Sequence, residues 1–154
     1  MAESTPLNIR QFNILVLLIL SSLYQSFPKL RVLSLNNLAA EATPDDTTYD
    51  ESLDWIDAAN AAADWLREEG FIRFERRVHI HTRPGEIEDA RLSLQGLTIL
   101  GFVPKSLSLK PRWNREVLID RIQHALSSGA KRAGTEAVTA LTKELIQLAL
   151  KSTP

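Results

Sequence analysis

The spacing of apolar residues changes along the chain, and each change marks a new element. Apolar side chains dominate Phe12–Leu20, interrupted only by Asn13, and continue to Leu23 and Tyr24. This run predicts a first helix from Asn8 to Gln25, stopped ahead of Pro28 because a residue preceding proline avoids the helical basin. Ser34 is placed to cap a short second helix over Leu35–Ala42, with Leu35, Leu38 and Ala39 as its apolar positions. Thr43–Thr48 is rich in turn formers and reads as an exposed loop, part of a connection of about eight residues, Thr43–Asp50, between the helices. A third helix is expected over Glu51–Glu69, closed by Gly70 as a left-handed cap.

After Gly70 the period drops to two. Ile72, Phe74, Val78 and Ile80 share one parity, while Arg73, Glu75, Arg77, His79 and His81 share the other, as in a strand with one buried and one wet face. Arg83-Pro84-Gly85-Glu86 carries turn chemistry, and Ala90, Leu92 and Leu94 supply the inward positions of a returning strand. Ser93 then caps a short helix over Leu94–Leu100, which Gly96 weakens. Pro104 and Pro111 bracket a linker, residues 104–113. Residues 114–152 form an amphipathic helical region, bent or broken near Ser127-Ser128-Gly129.

Composition adds limits. The chain has 154 residues, 44% of them apolar and 24% charged, which suits one globular unit and excludes a disordered chain. The absence of cysteine excludes a disulfide scaffold and a thiolate zinc site. The net charge of −1 conceals a segregation: residues 39–70 carry ten acids against Arg67 alone, whereas residues 105–154 carry nine bases against four acids. Partners are therefore selected by local patches rather than by overall charge.

Three helices followed by a two-stranded hairpin form the layout of a winged helix-turn-helix. The resemblance sharpens at Trp65-Leu66-Arg67-Glu68-Glu69-Gly70-Phe71-Ile72, which is similar to a third helix running into a wing strand. It continues at Arg91-Leu92-Ser93-Leu94-Gln95-Gly96-Leu97, where the wing returns and a further helix begins. It implies a mainly α fold with a small antiparallel β-hairpin (α+β), a winged-helix domain over residues 8–103 with a C-terminal helical extension. One departure is the long connection before the third helix, where a compact helix-turn-helix uses three or four residues.

In winged-helix regulators the third helix enters the major groove. Here its buried stripe is Leu53, Ile56, Ala59, Ala63 and Leu66, and the opposite stripe is Asp54, Asp57, Ala61, Asp64 and Glu68. Those four carboxylates would face a duplex carrying one charge per about 1.7 Å. Each like-charge encounter at about 4 Å costs about 1 kcal/mol even in water. The acidic face therefore points to a basic protein partner. The wing, with Arg73, Arg76, Arg77, His79, His81 and Arg83, is the alternative: a DNA-binding transcriptional regulator would clamp phosphates with it. On a protein-binding reading the same residues form an ordinary wet strand face, balanced by Glu75, Glu86, Glu88 and Asp89.

Other chemistry finds little support. His79 and His81 alternate onto one strand face, but only His124 and Glu86 offer themselves as further zinc ligands, so no metal and no cofactor is expected. There is no Gly-x-Ser-x-Gly elbow, phosphate-binding glycine loop or His-Glu-x-x-His, so the chain is read as non-catalytic. In the tail, Leu118, Ile122, Ala125, Gly129, Ala133, Ala137, Leu141, Leu145 and Leu148 recur at spacings of three and four. This stripe packs either onto the first helix of the same chain or onto a second copy, giving a homodimer through Leu118, Ile122, Gly129, Ala133, Leu141, Leu145 and Leu148. The tail lacks the Phe and Trp anchors of a membrane-surface helix. The Phe12–Leu20 run is short of the roughly 20 residues a bilayer span needs, so a cytoplasmic protein is expected.

Overall fold

The computed structural model describes residues 5–80, 83–101, 118–127, 129 and 135–152. The expected linker, residues 104–113, lies outside them. The fold is mainly helical with a small antiparallel sheet, an α+β arrangement. Helix α1 (Leu7–Ser26) is followed by strand β1 (Arg31–Ser34), helix α2 (Leu35–Ala42) and helix α3 (Tyr49–Glu68). Strands β2 (Ile72–Arg73), β3 (Arg76–Ile80) and β4 (Arg83–Leu92) lead to α4 (Leu94–Ile99), and α5 (Leu118–Leu126) and α6 (Thr135–Ser152) complete the order.

Helix α1 occupies the centre. Leu15, Val16, Leu17, Leu18, Ile19 and Leu20 are all buried, so no face of this stretch is left for water. It packs against α2, α3, β4, α5 and α6. By length and composition α1 could cross a bilayer, yet 61% of its apolar window is buried inside the chain.

Local signals set most helix ends. Ser34 Oγ accepts the Asn37 N–H at 3.2 Å and starts α2 as expected. Thr48 Oγ1 accepts the Glu51 N–H, so α3 begins at Tyr49, ahead of the expected Glu51, and the connection from α2 shortens to Thr43–Thr48. Gly70, at φ +84°, ends α3: its N–H bonds to the Arg67 carbonyl and the Phe71 N–H to the Leu66 carbonyl. That pair of bonds satisfies two orphan carbonyls and turns Phe71 back into the core beside Leu66.

The sheet differs from the expected hairpin in three ways. First, β1 joins it, pairing antiparallel with β4 through Arg31 opposite Ala90 and Leu33 opposite Ile87. The strand β4 is central, with β1 on one side and β2 and β3 end to end on the other. Secondly, Arg83-Pro84-Gly85-Glu86 is strand rather than turn. The register passes from Val78 opposite Glu86 to His79 opposite Pro84, which leaves Gly85 as the extra residue of a bulge. Proline is tolerated there because β1 reaches along β4 only to Glu86. Thirdly, the inward parity of β4 is broken at Asp89, whose φ of +55° accompanies a second irregularity opposite Arg31–Leu33. Ile87, Ala90 and Leu92 are consequently all buried. Leu94, expected to face inward, is 73% exposed because the chain has already turned into α4.

The junction between α3 and α4 is tight. Ser93 Oγ accepts the Gly96 N–H at 3.0 Å and donates to the carbonyls of Gly70 and Phe71 at 2.6 and 3.0 Å. A Cβ on Gly96 would stand 2.2 Å from the Phe71 carbonyl oxygen. Gly96 thus allows the approach of helix to backbone, and the helix forms despite its low propensity.

The tail folds back on its own chain. Leu118, Ile122, Leu141 and Leu145 are each no more than 5% exposed, within the same core as α1. These four positions, expected as candidates for contact with a second copy, are used in cis, because α1 needs cover on more sides than α2, α3 and β4 supply. Of the same stripe, Leu148 is 36% exposed and Ala137 is exposed. Gly129, at φ +93°, faces open space and ends α5 rather than admitting a neighbouring helix. Ala133 lies outside the described residues. Arg121 on α5 and Glu144 on α6 join across the helix pair at 2.5 Å.

Candidate functional site

The expected acidic helix and the expected basic wing meet. Asp54, Asp57, Ala61 and Glu68 lie exposed along the outer face of α3, as the helical spacing predicts. Asp64, on the same face, is held by β3. Arg77 of β3 reaches it with two parallel bonds, Nη2 to Oδ1 at 2.6 Å and Nη1 to Oδ2 at 3.2 Å. The Arg77 side chain is 23% exposed and its Nε is buried without a hydrogen-bond partner.

Phe74 anchors this meeting point. It is 4% exposed, with the guanidinium carbon of Arg67 4.5 Å and that of Arg77 5.6 Å from its ring centroid. Behind it, Trp65 packs edge-on to Phe12 at 5.0 Å and tilted against Phe71 at 5.8 Å. The chain leaving α3 at Gly70 thereby brings β3 back alongside the helix, which is why residues 13 positions apart can pair.

The resulting surface is divided in sign among the described residues. Its N-terminal part carries Asp54 and Asp57; its C-terminal part carries Glu68 together with Arg67, Arg73 and the Arg77–Asp64 pair. Of the expected wing cations, Arg73 is exposed and Arg77 is engaged. The side chains of Arg76, His79, His81 and Arg83 lie outside the described residues, so the pairing of His79 with His81 does too. Among the described residues no three His, Cys, Asp or Glu side chains gather into a metal-binding group.

The Arg77–Asp64 pair was the feature that sequence reasoning missed. Both residues were singled out, but for opposite surfaces. No family model, curated protein or solved structure matches this chain.

Proposed function

We propose that the chain is a non-catalytic winged-helix module that binds a basic protein partner through the outer face of α3. The winged-helix reading is supported by the order α1–β1–α2–α3 followed by β2/β3 and β4, with β1 paired to β4 on the side away from the hairpin. The observation that carries the choice of partner is the Arg77–Asp64 pair. It takes the arginine beside α3 out of phosphate binding, while Asp54 and Glu68 lie exposed on the same helix face. A duplex would meet repulsion along the helix and one cation fewer on the wing. A partner with lysines or arginines would meet attraction on the same face. Self-association through the tail stripe is not part of this reading, since its leucines at 118, 141 and 145 are used in the chain's own core.

Fluorescence anisotropy with two probes tests it. A labelled Lys/Arg-rich peptide should bind the full chain at low salt and lose most of that affinity with D54N/D57N/E68Q. A labelled duplex should bind neither protein. A duplex bound by the unmodified chain, with affinity falling steeply as salt rises, would overturn the reading in favour of the DNA-binding regulator.

A further inference from the structure

A second feature lies away from α3's outer face, where the beginnings of α1 and α6 meet the loop after α2 and the inner side of α3. A cavity of about 160 Å³ opens there. Its floor is made by Asn13 and Ile14 of α1, Trp55 of α3 and Val138 of α6, each no more than 8% exposed. Arg10 and Thr135 stand exposed at its rim.

Asn13 is the informative residue. It is 5% exposed, it lines the cavity, and its carboxamide makes no hydrogen bond among the described residues. Its amide atoms are not sealed from solvent, so they face the cavity and are available to whatever occupies it. Among the described residues, Arg10 is the charged side chain on the lining, and its guanidinium offers forked donors suited to a carboxylate. The first turns of α6, with Thr135 and Val138, add N–H groups of a helix start. Asp45, Asp54 and Glu136 sit on the same elements, but none of them lines the cavity.

Size completes the description. Apolar cavities of about 150 Å³ accept a benzene ring. Trp55 and Ile14 supply aromatic and aliphatic walls for such a body. We propose that this cavity binds a compact monocarboxylate with an apolar body of about one aromatic ring, its carboxylate held between Arg10 and Asn13. The proposal is independent of the acidic α3 face and stands or falls separately from it.

Benzoate is the probe, titrated into the full chain while amide and indole resonances are followed by NMR. Saturable shifts confined to the neighbourhood of Asn13, Trp55 and Val138 are expected, with a dissociation constant in about the millimolar range. Benzyl alcohol, of similar shape but neutral, should bind about tenfold more weakly, and so should benzoate to R10Q. Arg10 is exposed, so R10Q tests the charge without disturbing the core. N13L should lose benzoate binding while keeping its fold, checked by an unchanged or raised Tm. If N13L fails to fold, R10Q and benzyl alcohol still decide the matter. Shifts spread over the surface, equal binding of benzyl alcohol, unchanged affinity in R10Q, or no saturation at tens of millimolar would each overturn the proposal.

Discussion

Arg77 of β3 and Asp64 of α3 form a two-pronged ion pair that fixes the strand against the helix, with its shorter bond at 2.6 Å. Because Asp64 is 44% exposed, solvent screens the pair, and its contribution is on the order of 0.5–1 kcal/mol. A double-mutant cycle of Asp64→Ala and Arg77→Ala, followed by urea unfolding, should give a coupling energy of that size that shrinks in high salt. A coupling of zero at low salt would mean that packing on Phe74, not charge, holds β3 against α3.

Gly96 is constrained by its neighbour rather than by its own backbone. Alanine is the better helix former by about 1 kcal/mol. Gly96→Ala should nevertheless destabilise the chain by about 2–3 kcal/mol, because the added methyl overlaps the Phe71 carbonyl, a backbone atom that can yield only by moving the α3–β2 connection. A thermal unfolding midpoint equal to or above that of the unmodified chain would contradict the close approach.

Ser93 combines a helix cap with a clasp. Ser93→Ala removes the bond from the Gly96 N–H and both bonds to the carbonyls of Gly70 and Phe71. The Phe71 carbonyl keeps the Ser93 N–H, so one acceptor is still satisfied. The expected loss is about 1–2 kcal/mol in denaturant unfolding, and Ser93→Thr should recover part of it.

The two leucines at the end of the tail stripe should behave differently. Leu145→Ala empties a site that is 1% exposed and should cost about 2–4 kcal/mol, whereas Leu148→Ala should cost under about 1 kcal/mol. Since Leu145 packs within its own chain, the Tm of either variant should not depend on protein concentration. A midpoint that rises with concentration would place the stripe in an interface between copies.

Most helix ends were legible because their signals are local, although α3 starts at Tyr49, two residues ahead of the expected Glu51. Ser34, Ser93 and Gly70 act on backbone groups within a few residues of themselves, so residue type and position suffice. The all-round apolar run of α1 also announced a buried helix. The strand β1 was not legible, because four residues contain too few alternations to register a period of two. Ile87 was missed for a related reason: the left-handed Asp89 reverses the parity that Ala90 and Leu92 had suggested.

The candidate surface divides along the same line. The carboxylates of Asp54, Asp57, Asp64 and Glu68 share one side of α3 by helical geometry alone, and sequence spacing determined that. Only the tertiary structure decided that Arg77 would neutralise one of them, that the tail's leucines would cover α1, and that Asn13, Trp55 and Val138 would enclose a cavity. Each of these joins residues far apart in the chain. Such meetings are set by how the elements pack around α1, a choice that side-chain spacing within any one segment does not encode.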